Sequence, residues 1–127
     1  MARISDRFLQ LGVLFALLGM GLGVWMGKSG DVTLAPVHAH INLLGWVSML
    51  LYGLVYRVIP EAGIGRLPAA HFWLSLASLL LMIPSLAGFL MGDKAMMAPL
   101  AVASVGIWVG MLLFAVIVFR ATWRAQA

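Results

Sequence analysis

The chain contains no cysteine, and only four of its 127 residues are acidic. The missing thiols exclude disulfides, thiolate metal sites, iron–sulfur clusters and thioether-linked c-type haem. Charge of either sign is scarce. Charged residues make up 9% of the chain, against about a quarter in a soluble domain. Hydrophobic residues make up 64%, and the mean hydropathy is +1.08. No long polar segment is present, so no soluble domain is expected beside the apolar runs. The net charge of +4 would suggest nucleic acid in a soluble protein. In a chain this apolar it reads as topology instead, because basic residues mark cytoplasmic loops. No nucleic-acid partner is expected; membrane lipid is.

What the chain does have is four apolar runs, each near the roughly 20 residues that span a bilayer. They cover about 8–27, 37–59, 69–91 and 99–119. The breaks between them, "GKSGDVTLAP", "PEAGIGRLP" and "GDKAMMAP", are short, so sequential helices should be antiparallel neighbours. The fold class is therefore all-α, an integral membrane four-helix protein with one membrane domain over 1–127. With the N-terminus inside, Arg3, Arg7, Arg57, Arg66, Arg120 and Arg124 share the cytoplasmic side, and only Lys28 and Lys94 face out. That asymmetry puts both termini in the cytoplasm, and the expected location is a bacterial-type inner membrane, crossed several times. The first run is long for a signal peptide and no A-x-A site follows it, so it reads as a helix.

Local punctuation agrees. Pro36 and Pro68 stand where the second and third helices begin, where a missing N–H costs little. Pro84 falls inside the third run and should kink it. Gly19, Gly23 and Gly27 recur at four-residue spacing, a small-residue row that admits a neighbouring helix.

Against this background the stretch "APVHAHINLLGWVSMLLYGLVYRVIP", residues 35–60, is conspicuous. Ionisable side chains are rare in spanning segments and tend to point inward or carry function. His38 and His40 lie within a turn of the helix start, where a polar group can also simply meet water or headgroups. Successive helical residues turn by about 100°, so the two imidazoles project on nearly opposite faces. One metal cannot take both from one regular helix. If both are ligands, they serve two sites, and each site needs a second ligand from elsewhere. His71 is a poor candidate for that ligand, because it lies near the other membrane face, about 25 Å away along the axis. It shares a polar stripe with Ser75 and Ser78, which suits a hydrogen bond between helices. The missing ligand is then expected from a second copy under cyclic symmetry. Two neutral imidazoles in a dry setting suit a haem iron held from both faces; copper is the next choice, and a structural zinc would want four ligands.

The segment also resembles the catalytic subunit of the haem-copper oxidase and nitric oxide reductase superfamily. His40, Asn42, Leu43, Leu44, Trp46, Gly53, Tyr56 and Pro60 look like the second transmembrane helix of nitric oxide reductase, whose histidine binds the low-spin haem. The H-x-H is similar to that family's tenth helix, where two histidines serve two haems. The match covers about 25 residues. That family's twelve helices form three four-helix arcs, with histidines on the second helix of each. The resemblance therefore implies a homotrimer of twelve helices resembling oxidase subunit I, with haem b held at protomer interfaces by His38 and His40. Asn42, Gly45 and Trp46 would belong to the cofactor-binding surface. The third run has only His71 where the family's copper site needs three histidines, so an oxygen-reducing dinuclear centre is not expected. Asp6, Asp31, Glu61 and Asp93 all fall in loops or termini, which gives no support to proton pumping.

Other features allow more than one role. His38, Asn42, Gly45, Met49, Tyr52 and Tyr56 form one stripe, which suits either a haem edge at Gly45 or a helix–helix seam. Trp25 and Trp123 suit interfacial belts. Met91, Met96 and Met97 could contact Cu(I), although methionine is common throughout. Arg57 suits a helix C-terminus beside anionic headgroups. The expected function is a haem b-binding membrane protein in electron transfer or redox and gas sensing, with an unspecified redox partner. The rivals are a copper-binding or nitric-oxide-responsive accessory protein and a structural small subunit without cofactor.

Overall fold

A backbone in lipid must satisfy its own hydrogen bonds, so apolar runs of this length fold as helices. The computed structural model describes residues 3–124 and contains four long helices, with no strand among those residues. Helix α1 spans Ile4–Ser29, α2 Ala35–Val58, α3 Leu67–Leu90 and α4 Met97–Arg124. Each is long and apolar enough to cross a membrane. The two inner helices end within two residues of the apolar runs. α1 and α4 run further at the arginine end, because hydropathy registers only the lipid core while the helices continue through Asp6, Arg7 and Arg120.

The turns follow from their residues. Gly30 closes α1 in the left-handed conformation, φ 72°, and its N–H reaches the Met26 carbonyl at 2.9 Å. Asp31 then accepts from the Thr33 N–H at 2.9 Å, and the Thr33 hydroxyl together with this N–H holds its carboxyl below the usual carboxylate range. Pro36 and Pro68 sit in the first turns of α2 and α3. α3 continues through Pro84, and the Ser85 hydroxyl donates to the Leu81 carbonyl beside it.

Helices consecutive in sequence run antiparallel. α1 lies against α2 with little between the backbones. A Cβ at Gly12 would stand 3.2 Å from the Leu50 nitrogen and 3.3 Å from the Trp46 carbonyl oxygen. Further along the same seam Gly19 faces Asn42 and Gly23 faces His38, while Gly27 faces open space. The expected glycine row thus packs at two of its three positions. α3 and α4 pair in the same manner, with Ser75 and Ser78 against Gly110 and Gly106. Phe8 of α1 and Met49 of α2 are fully buried where the two pairs meet. One end of the bundle carries Arg3, Arg7, Arg57, Arg66 and Arg120, and an ion pair from Arg57 to Asp6 ties α1 to α2 there. Lys28 and Lys94 mark the other end.

The seam predicts a contrast. Gly12→Leu should lower thermal stability in detergent by about 1–3 kcal/mol, because the atoms it meets are backbone and cannot rotate away. Gly21→Leu, which meets nothing within 4 Å, should leave stability unchanged.

Candidate functional site

α2 changes its hydrogen-bonding register one residue after the histidine pair. Ala35–His40 is α-helical, Ile41–Ser48 is π-helical, and Met49–Val58 is α-helical again. A π segment bonds each N–H five residues back rather than four, and such segments are rare and frequent at functional sites. The Ser48 hydroxyl follows the same register, donating to the Leu43 carbonyl five residues back at 2.7 Å. The stretch "INLLGWVS" is therefore wound more widely than an α-helix. His38 and His40 precede it and keep the α-helical step, so they leave α2 on different sides.

His38 turns into the α1–α2 seam. Its Nδ1 donates to the Gly19 carbonyl at 2.8 Å, and its ring lies on Gly23. Asn42 donates its amide to the His38 carbonyl at 2.8 Å and stands 3.4 Å from Nε2, near the outer limit of a hydrogen bond. His40 stays on its own helix, and its Nδ1 donates to the Pro36 carbonyl at 2.7 Å. A carbonyl can only accept, so both Nδ1 atoms carry the proton. A neutral ring then keeps its lone pair on Nε2. Both histidines are half-buried.

The rest of the stripe serves packing. The room at Gly45 that a flat ring could use is taken by the Phe15 ring, which a Cβ there would meet at 2.7 Å. Met49, Tyr52 and Tyr56 are buried. Trp46 is half-buried, its backbone against Gly12. Met96 packs on Gly88, and Met91 and Met97 are exposed. No group of three His, Cys, Asp or Glu side chains stands together among the described residues.

His71 lies at the opposite end of the bundle from His40 and is fully buried. Tyr56 meets its Nδ1 at 2.9 Å, the expected bond between helices. Phe8, Tyr52 and Phe114 surround the ring at centroid distances of 5.1, 4.6 and 5.2 Å. Its Nε2 has no hydrogen-bond partner among the described residues. The pairing with Tyr56 could have been read from the sequence. The loop between α2 and α3 is short, and both residues lie close to it. The π register and the filling of Gly45 leave no such signal.

The Tyr56–His71 pair gives a measurable coupling. Tyr56→Phe should cost about 1–2 kcal/mol, because it strips a buried nitrogen of its partner. Tyr56→Phe combined with His71→Phe should cost less than the sum of the two single changes. A double-mutant cycle of thermal unfolding reads the difference.

Comparison with protein families, with characterised proteins and with solved structures finds no match to this chain.

Proposed function

We propose that the chain binds haem b through His38 and His40 at the interfaces of a homotrimer, and serves electron transfer or redox and gas sensing. The observation that carries this reading is the shared tautomer. Both imidazoles have Nδ1 tied to a main-chain carbonyl, at 2.8 and 2.7 Å, which puts the lone pair of a neutral ring on Nε2; in His38 the Asn42 amide stands 3.4 Å from that atom. A metal-ligating histidine is commonly held in this way. The surroundings fit as well: two imidazole donors, an apolar setting and an adjacent π segment. The scarcity of further ligands favours a group that needs only two protein donors.

The two rings leave α2 on different sides, so one chain cannot enclose an iron between them. A second copy supplies the missing imidazole, and three copies give the twelve-helix arrangement that the resemblance implies. Asn42 would steady His38, and Trp46 would remain part of the surrounding apolar surface. Gly45, filled by Phe15, would act through packing rather than contact. Haem held by two histidines supplies a one-electron couple with no open coordination position, so electron transfer fits it better than oxygen chemistry. The arginine-rich end supports an orientation with both termini in the cytoplasm.

The test is an optical spectrum and metal content of the protein purified from haem-supplied cells. A Soret band with sharp reduced α and β bands is expected, and both His38→Ala and His40→Ala should lose it. Gly23→Leu, which drives a side chain into the place of the His38 ring, should lose it too, whereas Gly27→Leu should keep it. Copper without haem would favour the copper-binding reading. Neither group would leave a structural membrane subunit, and a stable monomer by mass would remove the trimer.

A further inference from the structure

The net charge of the described residues sits at one end of the bundle. Among the described side chains, Arg3, Arg7, Arg57, Arg66 and Arg120 stand there against Asp6 and Glu61. At the other end Lys28 and Lys94 are balanced by Asp31 and Asp93. The arginine end also carries three indentations, and they differ in chemistry. One, of about 520 Å³, has Arg3 and Arg57 on its wall, but Arg57 is already paired with Asp6. A second, of about 480 Å³, sets Glu61 beside Arg120. The third is a groove of about 390 Å³ between α1 and α3.

That third groove is built differently. Arg7 and Gln10 flank its polar part. Leu11 and Leu14 of α1 and Phe72, Trp73 and Leu76 of α3 make up its apolar lining. Arg7 has no carboxylate partner among the described residues. From Arg7 to Leu14 the groove runs roughly 10 Å along α1, away from the charged end and into the apolar part of the bundle. α1 and α3 run parallel, so a cation at the mouth and an apolar trough below it follow one direction. Trp73 is well exposed beside this lining.

We infer that this groove seats one anionic phospholipid. The phosphate lies against Arg7, with Gln10 as a hydrogen-bond donor beside it. One acyl chain follows Leu11, Leu14 and Leu76. A soluble anion would use only the mouth, and a neutral lipid only the trough. A lipid with a net negative headgroup uses both. Basic pockets between transmembrane helices recognise such headgroups by this combination. The inference does not depend on the haem reading, since it involves neither His38 nor His40.

The experiment is native mass spectrometry of the full chain in mild detergent, with phosphatidylglycerol or phosphatidylcholine added. The wild type should retain one phosphatidylglycerol per protomer in preference to phosphatidylcholine. Arg7→Gln should weaken that retention about fivefold, the size of one basic contact at an anionic surface, and leave phosphatidylcholine unchanged. Leu14→Trp, which fills the trough and keeps the charge, should weaken retention of both lipids. Unchanged thermal stability and helicity of each variant confirm folding.

Equal retention of the two lipids by the wild type would overturn the inference. So would a preference that survives Arg7→Gln and disappears in Arg3→Gln, which would move the headgroup to the neighbouring cleft. Displacement by inorganic phosphate alone would remove the acyl seat. A second copy in the groove would also overturn it. The chain has no native cysteine, so a disulfide between Leu14→Cys and Trp73→Cys copies would reveal that arrangement directly.

Discussion

The close approach of α1 and α2 is the constraint on which the histidine region depends. In a bilayer, helices gain little from the hydrophobic effect when they meet, so shape and hydrogen bonding decide their pairing. At Gly12 the two backbones come nearly into contact. Eleven residues on, Gly23 leaves a space that the His38 ring fills. The hydrogen bond from that ring ends on the Gly19 carbonyl, one turn back along α1. A side chain at residue 23 would stand over this carbonyl. The glycine both makes room for the imidazole and exposes its acceptor.

The other end of the bundle is organised by a different demand. Phe8 is fully buried and touches Tyr52, Tyr56, His71 and Phe72, so α1, α2 and α3 meet around one phenyl ring. Among the described residues, His71 is placed in these aromatics with a single side-chain hydrogen bond and an unpartnered Nε2. An unpaired buried polar atom costs about 1–3 kcal/mol. The aromatic shell offsets part of that through edge-to-face packing, as between Tyr52 and His71 at an interplanar angle of 74°. Phe114 of α4 joins the same shell, which binds the α1–α2 pair to the α3–α4 pair, whereas the exposed Arg57–Asp6 ion pair ties only α1 to α2 and contributes at most about 1 kcal/mol.

Much of this was legible in the sequence because it follows from periodicity and length. Four apolar runs of bilayer length become four helices, and short loops make neighbours antiparallel. The one-residue spacing of His38 and His40 divides them between faces, since both lie in regular α-helix. His71 had to lie near the opposite end, and its pairing with Tyr56 follows from the short loop between α2 and α3. The π register was not legible. "INLLGWVS" has no residue that an α-helix would reject, and the change comes from a hydrogen-bond choice that composition does not record. Nor was the filling of Gly45, which depends on the depth at which Phe15 of another helix arrives. A glycine states that room exists and says nothing about what enters it.

The two histidines, alike in sequence, are held by unlike means. His40 bonds to Pro36, one turn back on its own helix, so its orientation is local to α2. His38 bonds to α1, so its orientation is a property of how two helices pack. Anything that shifts α1 against α2 moves one Nε2 and leaves the other in place. The π segment adds to this asymmetry. It begins at Ile41, just beyond both rings, and widens α2 along the stretch where Phe15 must enter at Gly45. Phe15 lies on the α1 face that also presents Gly12 and Gly19. The hollow for His38 and the seat for Phe15 are therefore two parts of one fitted surface. A donor set built this way couples its geometry to the packing of the bundle, whereas a motif closed within one helix would not.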